Sequence, residues 1–261
     1  MSRIFAGAKR GFTIIEISLF LAITGLIFVA MIIGVNSSLT QNHYEDDVRS
    51  LVDFIQNAYS KVISVEGDGK GDSTTKAIYG KLITFGESNN LAGTSNSNHS
   101  VFIYDVVGDI ATNDSGSTLA ALKALNANVT VGTSTDSKFA GIADSFTLRW
   151  ASTIETTAAE PTDLKAAILI TRSPSNGNIF TYVKTNGTLE INKDRATNPN
   201  ILLNALNNNE FTMAELDICV SMDRKPYGGR RKDIRIDRLS RGSSGVRVIH
   251  LDEADNRCQN L

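Results

Sequence analysis

The chain is expected to fold as an α+β protein, with a long N-terminal helix packed on an antiparallel β-rich head. Three observations predict this. An almost unbroken apolar run, Phe12 to Val35, follows a short basic head that carries Arg3, Lys9 and Arg10 and no acid. Beyond it, apolar residues recur at three- and four-residue spacing as far as Ile63, the mark of an amphipathic helix. From Lys76 onward the period changes to two, in short runs separated by polar tracts, as in half-buried strands.

The first element is long enough to cross a membrane. Ile17 to Val35 is 19 residues without formal charge, roughly 29 Å at helical rise, or about one hydrocarbon core. A secretory signal would instead have a short apolar stretch and a small-residue cleavage site. Asn36-Ser37-Ser38 is a poor match to such a site. A plain anchor explains the length but not Glu16, the single carboxylate in the run. An acid deep in a bilayer costs about 2.5–3.5 kcal/mol on insertion scales. Glu16 therefore needs a partner or a shallow position.

The run Gly11-Phe12-Thr13-Ile14-Ile15-Glu16 resembles the type IV prepilin signature, in which a basic leader and a Gly precede Phe-Thr-Xaa-Xaa-Glu at the head of an apolar helix. The resemblance covers about 55 of the 261 residues. It implies that a membrane aspartyl protease, the prepilin peptidase, cuts between Gly11 and Phe12 and methylates the new amino terminus of Phe12. It also implies that Glu16, with Thr13 beside it, serves assembly, its carboxylate pairing with the amino terminus of a neighbouring subunit. An ammonium is a good partner for a carboxylate stranded in lipid or in an apolar filament core. The implied partners are other pilin subunits, the peptidase, the assembly platform protein and, before assembly, the membrane itself. One departure is the lack of a helix-kinking proline, since none occurs before Pro161. Gly25 and Gly34 are the intrinsically weak points of the helix.

The organisation that follows is a leader over residues 1–11, a membrane-spanning or filament-core half-helix over 12–35, an amphipathic half-helix over 36–66, and an exported β-rich head over 67–261. In the amphipathic half, Val48, Leu51, Val52, Ile55, Ala58, Tyr59, Val62 and Ile63 form the apolar stripe. Glu45, Asp46, Asp47, Arg49 and Asp53 are among the residues that fill the other positions. The glycine-rich run Gly67 to Asp72 ends the helix. Expected strands are Ala77–Phe85, Val101–Val107, Ser145–Trp150, Ala166–Thr171, Ile179–Val183 and Thr188–Ile191. Asn186-Gly187 reads as a hairpin turn between the last two. Short helices are expected at Thr118–Asn126 and near Asn200–Asn207.

Lys9 and Arg10 ahead of the span predict a cytoplasmic N-terminus and an exported C-terminal region. The protein would thus sit first in the cytoplasmic membrane as a single-pass subunit, then in an extracellular filament. In that compartment the two cysteines, Cys219 and Cys258, are able to form a disulfide, and many pilins close a C-terminal loop this way. Two free thiols are the alternative.

Chemistry of the enzymatic kind finds no support. The three histidines, at 43, 99 and 250, fall in unrelated segments. No metal-ligand spacing, nucleophile elbow or dinucleotide fingerprint is present. The expectation is a structural protein with no catalytic residue, no metal and no cofactor. A basic C-terminal stretch is the competing feature. Asp223 to Arg247 holds nine basic residues against three acids, a net +6 in a chain of net −2. Arg224, Lys225, Arg230, Arg231, Lys232, Arg235 and Arg247 are its candidate DNA-phosphate ligands, and some minor pilins bind DNA for natural transformation with arginines in this region. Ile234 and Ile236 alternate with Arg235 and Asp237, which reads as a hairpin with Arg235 and Arg247 opposite the aliphatic residues. A third reading is a pseudopilin of a type II secretion system, which shares the N-terminal signature.

Overall fold

A computed structural model describes residues 13–64, 76–86, 97–109, 119–129, 144–149, 152–157, 162–173, 177–187, 189, 191, 200–222, 231–249 and 257–258. The chain divides into two compact units, Met1–Glu45 and Asp46–Leu261. Helix α1, Ile14–Ser64, begins in the first and ends in the second. Its expected terminator, Gly67 to Asp72, lies outside the described residues.

From Ile14 to Val35 α1 is apolar nearly all round and exposed. Its most apolar 18-residue window has a mean hydropathy of 2.6 and no buried residue. The helix is long and apolar enough to cross a membrane. Its few polar side chains are satisfied locally, Ser18 Oγ donating to the Ile14 carbonyl at 2.8 Å and Thr24 Oγ1 donating to that of Phe20. Back-bonding of this kind leaves no hydroxyl that requires water.

In the second unit the same helix becomes amphipathic, and its stripe is the core. Leu51, Ile55, Ala58 and Tyr59 are fully buried, Leu51 and Ile55 each contributing about 1.5–3 kcal/mol of burial. Asp47 lies on the buried side, where the sequence pattern had placed it among outward-facing polar residues. Its carboxylate accepts the Arg149 backbone N–H at 3.3 Å and the Ser152 hydroxyl at 2.8 Å. Those donors offset the cost of desolvating it.

Among the described residues, two antiparallel sheets carry the rest of the second unit. The larger contains β1 (Lys76–Phe85), β2 (Ser100–Asp109), β3 (Asn128–Val129), β4 (Asp144–Thr147), β6 (Ala166–Arg172) and β7 (Ile179–Lys184). Its order is β3-β2-β1-β6-β7, with β4 also pairing β2. The smaller contains β5 (Ser152–Glu155), β8 (Leu216–Met222), β9 (Arg231–Ile236) and β10 (Val246–Ile249), in the order β10-β9-β8-β5. Strand periodicity sends alternate residues of the larger sheet to opposite faces. Thr181 reaches α1, its hydroxyl 3.0 Å from that of Tyr59. Leu82, Phe102, Tyr104, Leu169 and Tyr182 point the other way, into a cluster with Leu122 of α2 (Leu119–Ala124) and Leu202 and Leu206 of α3 (Ile201–Asn207). Helices therefore cover both faces of this sheet. At Gly80, beside a register shift between Ile78 and Gly80, a Cβ would stand 2.0 Å from the Ile170 carbonyl, so only glycine allows this approach of β1 to β6.

The α+β class and the helix-on-sheet arrangement agree with the sequence pattern, as do the two short helices and four of the six expected strands, nearly end to end. The run at Ser145 forms a shorter strand, β4. Of the expected strand Thr188–Ile191, Thr188 and Glu190 lie outside the described residues, and Leu189 and Ile191 are not in a strand. The edge of β7 beside it is taken by Thr212, which exchanges backbone hydrogen bonds with Val183 at 2.8 and 3.0 Å. Leu189 and Ile191 instead fill the outer cluster. Strands β3, β5 and β8 were not anticipated. In β8 the signal was present, Leu216, Ile218, Val220 and Met222 alternating with Asp217, Cys219 and Ser221.

Candidate functional site

The N-terminal signature is the first candidate. Gly11 and Phe12, the expected cleavage and methylation residues, lie outside the described residues. Thr13 and Glu16 form a reciprocal cap on α1. Glu16 Oε2 accepts the Thr13 backbone N–H at 2.9 Å and the Thr13 hydroxyl at 3.1 Å, and Glu16 N–H points at Thr13 Oγ1 at 3.3 Å. This is a capping box, in which a Thr N-cap and a Glu three residues on satisfy each other's free donors. The prepilin resemblance implies an assembly role for both residues, and the cap is a second one. The Thr-x-x-Glu spacing was the signal for this second role.

Beyond the cap, large apolar side chains project on every side. Ile14, Leu26 and Ile32 are 85 %, 73 % and 66 % exposed. Such a surface suits lipid or sister helices rather than water. Chemically the site offers a carboxylate at the mouth of an apolar rod.

The basic C-terminal stretch is the second candidate, and the structure distributes its members unevenly. Arg224, Lys225 and Arg230 lie outside the described residues. Arg231 is mostly buried, 3.5 Å from Glu155. Lys232 is half-buried. Arg235 is not on an accessible strip, because its Nε donates to Asp217 Oδ1 at 2.7 Å and the side chain is 5 % exposed. Arg247 is open to solvent, 3.6 Å from Asp237. The aliphatic and charged residues do separate by face, since Arg247 stands opposite Arg235 while Val248 and Val246 stand opposite Ile234 and Ile236. Acids outside the basic stretch pair with its arginines, Glu155 with Arg231 and Glu215 and Asp217 with Arg235. Glu215 and Asp217 on one side and Arg257 on the other complete a cluster, with Arg257 2.9 Å from Glu215 and 2.8 Å from Asp217. Pairing across β8 and β9 reads these partners out, since Asp217 stands opposite Arg235 and Cys219 opposite Asp233.

Cys219 and Cys258 are bonded, bridging a separation of 39 residues. Beside the bridge, Asp233 is fully buried. One oxygen accepts the Arg257 backbone N–H at 3.1 Å, while the other has no hydrogen-bond partner among the described residues. Burial first of all, with Asp217 close by, pushes its carboxyl up to about 6, against the pull of the Arg257 N–H and the two arginines. The protonated form supplies an O–H in place of a desolvated charge.

No group of three or more His, Cys, Asp or Glu that would hold a metal ion occurs among the described residues. Family models, curated proteins and solved structures all fail to match the chain.

Proposed function

We propose that the chain is a structural subunit of a type IV pilus or pilus-like filament, assembled through its N-terminal helix after removal of residues 1–11. The observation that carries the reading is Gly11-Phe12-Thr13-Ile14-Ile15-Glu16 at the mouth of a helix whose apolar side chains stand exposed over its first half. That surface needs lipid while the subunit waits in the membrane, and sister helices once it assembles. The prepilin peptidase cuts after Gly11, and Phe12 becomes the amino terminus. Its ammonium then lies one residue from Thr13, whose N–H already contacts the Glu16 carboxylate. A neighbour's amino terminus meets the same carboxylate in the filament, so two opposite charges enter the apolar core together. The cytoplasmic N-terminus, the assembly platform protein as partner and the extracellular destination belong to this reading.

Intact mass of the native protein from a cell-surface fraction tests it. The expected mass is that of residues 12–261 plus one CH2 for the N-methylation and minus two hydrogens for the disulfide. Gly11→Ala should leave the leader attached, and normal processing of that variant would end the peptidase reading. A pseudopilin of a secretion system would give the same mass, and long filaments sheared from the surface separate a pilus from it.

A further inference from the structure

The turn between β9 and β10 presents an unusual surface. Among the described large apolar residues beyond α1, Leu239 at 69 % exposure far exceeds the next, Met213 at 37 %. It lies between Arg238 and Arg241, both exposed, and no ion pair among the described residues engages either arginine.

This exposure is held in place. The Asp237 N–H donates to the Gly245 carbonyl at 2.9 Å, and the Ser240 N–H donates to that of Asp237 at 3.0 Å. Ser240 Oγ donates to the Gly242 carbonyl at 2.9 Å, while Thr181 Oγ1 donates to the Ser240 carbonyl at 2.8 Å. Gly245 packs so closely that a Cβ there would lie 2.1 Å from Ser240 Oγ. A turn pinned from both sides has already lost the freedom that binding would otherwise remove.

A complementary groove lies elsewhere on the same unit. Asp46 and Ser50 of α1 face Ser145, Phe146 and Arg149 across it. Its apolar floor is Phe146, whose ring centroid is 5.4 Å from that of Phe54. Asp46 supplies an exposed carboxylate, Asp47 lies beneath and accepts the Arg149 backbone N–H, and Arg149 is the one cation among the lining residues named. The tip offers one apolar side chain and two cations, and the groove an aromatic floor and net negative charge.

The tip does not reach its own groove. Through Thr181 it contacts α1 at Tyr59, thirteen residues or roughly 20 Å along the helix from Asp46. We propose that the β9–β10 turn of one copy docks into the Asp46–Phe146 groove of the next, with Leu239 on Phe146 and an arginine on Asp46. Contact between two different surfaces of one chain is heterologous, and it builds an open helical array wherever its rotation does not close into a ring. The inference rests on the filament reading and names a contact within it.

The test uses the full-length protein in assembled or detergent-extracted form. L239C combined with S145C should give a ladder of covalent multimers on oxidation, and neither single variant should do so. R238E with R241E should weaken self-association by about tenfold, and adding D46K should restore part of it. Retention of the Cys219–Cys258 bridge checks that the variants fold. Wild-type multimers without the L239C–S145C ladder would overturn the docking while leaving the filament reading intact. Absence of wild-type multimers would overturn both. Binding of anionic vesicles or duplex DNA that R238E with R241E abolishes, with self-association unchanged, would overturn the docking and reassign the tip.

Discussion

The Glu16 carboxylate accepts both the backbone N–H and the hydroxyl of Thr13, at 2.9 and 3.1 Å. One acid thereby closes the first turn of α1 and remains within a residue of the proposed new amino terminus. Capping and assembly make different demands on it. Capping needs only acceptor oxygens, whereas pairing with an ammonium needs a charge.

Glu16→Gln separates the two roles. The amide oxygen still accepts from Thr13, so amide exchange over residues 14–17 in detergent should stay near wild type. Filament yield should fall sharply because the charge is gone. Thr13→Ala should do the reverse in part, speeding exchange in that turn several-fold while leaving the carboxylate in place. Wild-type filament yield from Glu16→Gln would remove the pairing role.

The Cys219–Cys258 bridge should contribute about 4 kcal/mol by the chain-entropy relation for a loop of its 39-residue separation. Replacing both cysteines by serine should lower Tm by roughly 8–15 °C for a unit of this size, read by calorimetry on the purified protein. A shift under about 3 °C would mean that the Arg257 contacts alone hold this segment.

Asp233 sets a pH dependence whose sign runs against ordinary acid denaturation. Its carboxyl is raised to about 6 from 3.8, so the native state holds an extra proton between those values. The stabilisation is fully present below about pH 4 and is lost as pH rises through 6. The difference is on the order of 3 kcal/mol. Asp233→Asn keeps an acceptor for the Arg257 N–H and carries no charge. Its stability relative to wild type, from urea titrations, should therefore increase between pH 4 and 7. A constant difference would show that Asp233 does not titrate in that window.

Arg235 is the hinge of the buried charge cluster, with Asp217 at 2.7 Å and Asp233 at 3.8 Å. Arg235→Ala should cost about 3–5 kcal/mol, because it leaves buried carboxylates short of a cation. Arg247→Ala, at an exposed pair 3.6 Å from Asp237, should cost under about 1 kcal/mol. Denaturant midpoints of the two variants check the contrast.

Much of the fold was legible because hydrophobic period carries it. The stripe from Val48 to Val62 and the alternation in β1, β2, β6 and β7 each mark the face they bury. Leu189 and Ile191 are not in a strand because pairing is decided by what already lies beside an edge, and there Thr212 pairs with Val183 of β7. Arg235 looked like a phosphate ligand because charge is counted along the chain, whereas its partner Asp217 reaches it only across the β8–β9 pairing. Asp47 passed for an outward residue because its donors, Arg149 and Ser152, lie about a hundred positions away.

The sequence by itself determined the helix, its change from apolar all round to amphipathic, the β-rich region after it, and the signature at residues 11–16. These are local properties, set by composition and spacing within a few turns of chain. Tertiary structure decided which charges are spent internally, that Cys219 and Cys258 meet, and that Asp233 is sealed beside them. It also decided that Leu239 is held outward between two arginines. Each of these depends on strand register and sheet order, which bring together residues that no local pattern connects.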